Sequence, residues 1–262
     1  MATTELDTMT IERDDGVVTM TLRRPERKNA IDSRMWIELR EQFHEIATSS
    51  TDRALVLTGA GGDFCSGADL GDTDRSSDRH QLAAMRDVGD VCLALHRLPL
   101  PTIAKVRGVA VGAGMNMALG CDLVVAGSTA RFSEIFARRG LSIDFGGSFL
   151  LPRLIGLHRA KELALFADII GAEEAREFGF VNRVLPDDEL DAFVDDWARR
   201  LASGPPIAMA MTKRMLNNSF SVTLEEALDD EGLSQTVNFG TNDTVEAVNA
   251  FRSKRDPDFT GR

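Results

Sequence analysis

The stretch Val106-Arg-Gly-Val-Ala-Val-Gly-Ala-Gly-Met-Asn-Met-Ala-Leu-Gly-Cys-Asp122, followed by Gly140-Leu-Ser-Ile-Asp144-Phe-Gly-Gly147, decides the reading of this chain. A β-branched run breaks at Gly112, Ala113 and Gly114 into a helix-forming segment. The first amides of such a helix have no intrahelical partner and are free to face a ligand oxygen. The second stretch sets one carboxylate, Asp144, in a glycine-bounded turn. Together they fit a site that holds a developing oxyanion beside a single acid/base. The same glycines also fit close helix-strand packing, and the same aspartate fits a turn or a helix cap.

Outward from this centre, strands and helices alternate. Thr8 to Arg13 and Val17 to Leu22 alternate apolar and polar residues around Asp14-Asp15-Gly16, which predicts a hairpin. Asp32 caps a helix whose apolar stripe is Trp36, Leu39, Phe43 and Ile46, and Arg53 to Gly59 reads as a buried strand. Ile103 to Val106 and Asp122 to Ala126 are further strands, each reached through a helix, so parallel pairing is expected. Gly71 to Arg79, rich in Asp, Ser and Arg, reads as a mobile surface loop. Beyond Pro186 only helices follow: Asp188 to Leu201, Pro206 to Asn217, Leu224 to Phe239 and Thr244 to Arg252. The expected organisation is an α/β core over residues 1–190 and a helical region over 191–262 that packs on a neighbour.

The 262 residues carry 30 Lys and Arg against 41 Asp and Glu, a net charge of −11. That balance disfavours nonspecific attraction to nucleic acid or to an anionic membrane. Cys65, Cys92 and Cys121 follow neither a paired framework nor a ligand spacing, so buried thiols are expected, with no disulfide and no metal. No signal peptide is evident, and no apolar run reaches the ~18 residues that span a bilayer. A cytoplasmic protein is the expectation. His44, His80, His96 and His158 lack a serine or cysteine elbow and read as surface residues, and no phosphate-binding glycine loop is complete.

Seven short motifs occur in order: Phe64-Cys-Ser-Gly-Ala-Asp69-Leu, Gly112-Ala-Gly-Met-Asn116, Gly120-Cys-Asp122-Leu, Arg131-Phe-Ser, Leu151-Pro-Arg-Leu-Ile-Gly156, Ala172-x-x-Ala-x-x-x-Gly179-x-Val-Asn182 and Phe251-x-x-Lys-Arg. From about residue 8 to the end, the chain resembles the crotonase (enoyl-CoA hydratase/isomerase) superfamily. The resemblance implies a spiral of ββα units, a helical C-terminal trimerisation region, and a homotrimer or dimer of trimers. It also implies an acyl-CoA thioester substrate, with coenzyme A entering as part of the substrate and no other cofactor. The thioester oxygen is then held by the backbone amides of Ala68 and Ala113. Loss of one such donor typically costs ~3 kcal/mol of barrier.

Hydratases of this superfamily carry two glutamates where this chain has Asn116 and Phe136. An amide and a phenyl ring can neither activate water nor deliver a proton, which argues against ordinary hydration. Asp144 stands where the dienoyl-CoA and ring-1,2-epoxyphenylacetyl-CoA isomerases keep an aspartate, and the segment from Phe132 to Arg153 resembles the latter. One carboxylate suffices for allylic isomerisation, removing a proton α to the thioester and returning it at the γ carbon. Phe136, Ile143 and Phe145 are expected to raise its proton affinity. Alternatives are a hydratase with an unusual acid/base, an acyl-CoA binding protein without chemistry, and an aroyl-CoA dehalogenase with Asp144 as nucleophile. Phe136 stands where the dehalogenases keep a tryptophan.

The resemblance further assigns substrate or coenzyme A contacts to Arg27, Lys28, Ala30, Ser66, Asp69, Leu70, Gly114, Asn116 and Phe136. Arg24 is a further cation near the phosphates, and Lys254 and Phe259 fall where a C-terminal segment can complete the pocket. Asn116 either orients substrate or water, or bonds to backbone at the helix start. Glu134 is expected to be exposed.

Overall fold

The structure, a computed structural model, describes residues 2–71 and 80–262; beyond Gly71, the surface loop expected from the sequence lies outside them. The amino-terminal hairpin pairs β2 (Met9–Asp14) with β3 (Val17–Leu22), Asp14 facing Val17. Its two-residue turn needs left-handed backbone at both positions, which Asp15 (φ 46) and Gly16 (φ 80) supply. An edge strand unforeseen in the sequence, β1 (Ala2–Glu5), adds antiparallel to β2; all four of its residues are exposed.

The hairpin crosses through α1 (Ser33–Thr48) to β4 (Ala54–Gly59), parallel to β3. Asp32 caps α1 by accepting from the Met35 amide at 2.8 Å. Met35, Leu39, Phe43 and Ile46 form the buried stripe, and Trp36 packs at its margin. After α2 (Gln81–His96) come β5 (Thr102–Val106), β6 (Val109–Val111), α3 (Ala113–Gly120), β7 (Leu123–Gly127) and β8 (Arg131–Ser133). A short 3-10 turn (Ile135–Arg139) leads to α4 (Gly147–Ile155), α5 (Leu157–Phe166), β9 (Ile170–Gly171), α6 (Ala172–Phe178) and β10 (Arg183–Leu185).

Two sheets result, a large one in the order β1-β2-β3-β4-β5-β7-β10 and a small one in the order β6-β8-β9. From β3 to β10 the large sheet is parallel, as the alternation predicts. The crossover from β5 to β7 contributes β6 to the small sheet and the one from β7 to β10 contributes β8 and β9, which fits the spiral of ββα units expected of the crotonase fold. The main core lies between the large sheet, α1, α3 and the small sheet; a second apolar cluster lies under the first C-terminal helix.

From Leu190 onward the chain is helical: α7 (Leu190–Ala202), α8 (Pro206–Asn218), α9 (Leu224–Phe239) and α10 (Asn242–Ser253). Lys213 of α8 ties this region to the core by a 2.8 Å ion pair with Asp122 and by donating to the Leu100 carbonyl. No described helix is long and apolar enough to cross a membrane. Cys65 and Cys121 are buried and Cys92 half-buried, all three as free thiols.

Candidate active site

The loop after Phe64 is threaded between two elements. Cys65 donates to the Val109 carbonyl (2.8 Å) and accepts from the Val111 amide (3.0 Å), which extends β6 sideways. Gly67 and Asp69 then bond to the two sides of Ile31, accepting from its amide and donating to its carbonyl, each at 2.8 Å. Ala68, between them, has its N–H turned away from Ile31. Among the described residues neither that amide nor the Ala113 amide, at the first position of α3, has a hydrogen-bond partner.

Two glycines let this loop and α3 meet backbone to backbone. A Cβ on Gly67 (φ 91) would sit 2.8 Å from the Val111 oxygen and 3.5 Å from the Ala113 nitrogen. One on Gly114 would sit 2.3 Å from the Cys65 oxygen. Close packing is thus the means by which the two free amides are held side by side. Arg24 steadies the same loop, bonding Asp69 at 3.0 Å, Asp32 at 3.1 Å and the Ala30 carbonyl. The expectation that Arg24 serves phosphates is therefore corrected, since its guanidinium is occupied inside the protein.

A cleft of about 450 Å³ opens over these amides. Arg27, Ala30, Ser66, Ala68, Asp69, Leu70, Ala113, Phe136 and Asp144 all line it. Lys28, Gly114 and Asn116 do not line it. Lys28 projects into solvent, 3.8 Å from Asp63, and Gly114 is packed on Cys65. Lys254 closes the end of α10, and Phe259 lines a separate small cavity with Pro205 and Ile207, so neither completes the cleft within the chain.

Asp144 enters the cleft from a strained turn. Phe145 (φ 44) and Gly146 (φ 76) are both left-handed, and the Phe145 ring is fixed against Trp36 of α1, centroids 5.7 Å apart. The Asp144 carbonyl accepts from the Gly147 amide (3.0 Å) and from Nδ2 of Asn116 (2.9 Å). Gly147 has no Cβ because the Asn116 amide lies over it, 2.4 Å from where that atom would be. Burial pushes the Asp144 carboxyl up to about 6. A raised proton affinity is what its apolar neighbours led one to expect.

Glu134 overturns its expectation: it is fully buried. It follows β8, the middle strand of the small sheet, where Phe132 and Ser133 are both inside, so the exposed-buried alternation of a surface strand does not apply. Its Oε2 accepts from Asn116 Nδ2 at 3.3 Å. Burial first, then the charge of Asp144, push its carboxyl up to about 8 against the pull of that hydrogen bond. Glu134 is not among the residues lining the cleft. His96 is half-buried on α2, and burial lowers its proton affinity. Among the described residues no cluster of His, Cys, Asp or Glu is arranged to hold a metal.

The arrangement can therefore accept negative charge on an oxygen at two main-chain amides and move one proton at Asp144. Residues 12–262 match the family described as Enoyl-CoA hydratase/isomerase. The chain belongs to the enoyl-CoA hydratase/isomerase, or crotonase, family. It is 39% identical over 253 residues to the 1,2-epoxyphenylacetyl-CoA isomerase of Escherichia coli (strain K12), covering 95% of this chain and 97% of the relative. It is equally 39% identical over 255 residues to a Rhodobacter capsulatus protein that carries an enoyl-CoA hydratase name, covering 97% and 98%. A crystal structure of enoyl-CoA hydratase from Bacillus anthracis superposes with a TM-score of 0.93 at 31% identity, covering 98% of this chain and all of that one. The chain is thus an enzyme of the enoyl-CoA hydratase/isomerase family.

Proposed function

We propose that this crotonase-family member is an acyl-CoA isomerase. Asp144 takes a proton from the carbon α to the thioester, the electron pair moves onto the thioester oxygen held by the amides of Ala68 and Ala113, and the new acid returns the proton at the γ carbon. The double bond moves from the 3- to the 2-position with no net gain or loss of atoms. The observation that carries this reading is the carboxyl of Asp144 lining the cleft beside both amides, while the other carboxyl that lines it among the described residues, Asp69, is paired with Arg24, with Phe136 at the position of one missing glutamate and Asn116 buried at the other. Addition of water requires a second proton-transfer group in the cleft, and Glu134 does not line it.

Arg27 supplies the cation that meets the coenzyme A phosphates at the mouth of the cleft, and Leu70 and Phe136 supply apolar walls. The functional unit is a homotrimer or dimer of trimers, for which the exposed Leu216, Phe220, Leu224, Leu228 and Leu233 of the C-terminal helices and their connection are an apolar surface. The likeness to the epoxyphenylacetyl-CoA isomerase supports a ring-strained aromatic acyl-CoA as the second substrate class to try.

Incubation with 2-enoyl-, 3-enoyl- and aromatic acyl-CoA thioesters in deuterated water, followed by mass analysis, tests the reading. A shifted double bond with solvent deuterium at the α or γ carbon, lost in Asp144→Asn, is expected. A water adduct of the 2-enoyl thioester as the main product overturns it.

A further inference from the structure

The small polar core behind the cleft contains three oxygens and no donor for them. Asn116 Oδ1, Glu134 Oε1 and Asp144 Oδ1 are all buried without a hydrogen-bond partner among the described residues. The amide donor that reaches them, Asn116 Nδ2, is already divided between Glu134 Oε2 at 3.3 Å and the Asp144 carbonyl at 2.9 Å. An ionised carboxylate at Glu134 would thus be fully enclosed with one long hydrogen bond, a costly arrangement, whereas a protonated one brings its own O–H to a cluster in which acceptors outnumber donors.

We infer that Glu134 is a positioning residue that works as a neutral acid: with its proton on, it shares the Asn116 amide with the Asp144 main chain and keeps a second negative charge out of the wall behind the cleft. Loss of that proton switches the reaction off in two ways. A charged acceptor draws Asn116 Nδ2 toward itself and away from the Asp144 carbonyl, which loosens the strained turn that aims the carboxyl. It also places a fixed negative charge beside an oxygen that must itself become negative, in a region poor in water.

The groups facing Glu134 are few. Asn116 approaches from α3 and Asp144 from the turn before α4, while behind Asp144 lies the Cys92 thiol of α2, which burial and then the Asp144 charge push up to about 11 and so keep neutral. No Lys or Arg bonds either carboxyl among the described residues. Burial and Asp144 push Glu134 up to about 8, which places its ionisation above that of Asp144.

The catalytic half of this inference rests on the isomerase reading; the ionisation half does not. Infrared difference spectra of the wild-type protein without substrate, from pH 6 to 10, are expected to show a protonated-carboxyl band lost near pH 8 and absent in Glu134→Gln. Turnover of a 3-enoyl thioester in the wild type is expected to fall about tenfold between pH 7 and pH 9, following the ionised fraction. In Glu134→Gln the profile, scaled to its own maximum, is flat over that range, whereas Glu134→Ala, which frees Asn116, loses kcat more than KM. A wild-type protein without the carboxyl band at pH 7, or an alkaline fall unchanged in Glu134→Gln, overturns the inference. A titrating band in a protein without isomerase activity overturns the switch and the isomerase reading together while leaving the neutral acid in place.

Discussion

The side-chain amide of Asn116 donates to the main-chain carbonyl of Asp144 at 2.9 Å, across the gap left by the missing Cβ of Gly147. Position 116 therefore supports the acid from behind. Helix α3 both offers the Ala113 amide to the cleft and, one turn later, fixes the turn that carries Asp144. A single short helix thus sets the distance between the Ala113 amide and the Asp144 carboxyl in the cleft.

Asn116→Ala is expected to lower kcat about 10- to 100-fold with KM changed less than threefold, because the amides of Ala68 and Ala113 proposed to hold the thioester are untouched while the Asp144 turn is freed. The same change leaves a buried acceptor unpaired, about 1–3 kcal/mol of folding stability. Steady-state kinetics together with urea denaturation separate the two effects. A variant whose KM rises while kcat stays constant would show that Asn116 meets substrate directly.

Gly114→Ala places a methyl group 2.3 Å from the Cys65 oxygen, so α3 and the Ala68 loop must move apart. Overpacking of this kind costs about 1–3 kcal/mol, and the divergence of the two amides adds to the loss in kcat/KM. Gly89→Ala on α2, where nothing lies within 4 Å, is the matched control and should stabilise by about 0.5–1 kcal/mol. Equal kinetics in the two variants would mean that the backbone contact does not set the amide pair.

Two arginines three residues apart in sequence are expected to behave oppositely. Arg27 lines the cleft and is exposed, so Arg27→Ala should raise KM several-fold, an effect that shrinks as salt is added. Arg24 is held by Asp69, Asp32 and the Ala30 carbonyl, so Arg24→Met should lower thermal stability first. Substrate titration at two ionic strengths and melting curves distinguish them; a salt-sensitive KM effect in Arg24→Met would restore it to phosphate binding.

With Asp144 as the base of the proposed reaction, a pH dependence is expected. Burial pushes its carboxyl up to about 6, so the free enzyme carries the reactive carboxylate only above that value. The logarithm of kcat/KM is expected to rise with unit slope below pH 6 and level off above it, until the alkaline fall that ionisation of Glu134 brings near pH 8. Asp144→Asn should lose the activity and the acid limb together. An acid limb near pH 4 would mean that the cleft is wetter around this group than the structure describes.

Periodicity and turn chemistry made the hairpin, α1, the parallel strands and the C-terminal helices legible, because each is fixed by local alternation, a cap or a glycine. The glycine-bounded turn at Asp144 and the break at Gly112-Ala-Gly were visible as local patterns, but Ala68 and the roles proposed for all three residues came from the family resemblance, because the same glycines and the same turn aspartate also serve plain packing and capping. Glu134 was not legible. Its burial depends on β8 lying between two other strands, a fact of topology that no local pattern around Phe132-Ser-Glu contains. Arg24 was misjudged because charge type is legible in sequence and charge partner is not: Asp69 lies 45 residues away. The edge strand at Ala2–Glu5 has no buried face to leave a pattern.

Glu134 gives a further outcome that needs no substrate. Its carboxyl stands near 8 in the folded protein against an ordinary value of 4.5, so between those values the native state holds a proton that the unfolded chain has released. Stability contributed by this group therefore falls as pH rises through that window, by at most about 1.4 kcal/mol per unit. Asp144 adds a smaller fall of the same sign below about pH 6, common to wild type and variant. Glu134→Gln removes the Glu134 slope, so its stability relative to wild type should increase steadily between pH 5 and pH 8 whatever offset the new amide introduces. Urea denaturation at those two pH values measures the change, and a difference between the proteins that is the same at both would show that Glu134 is already ionised in the folded state.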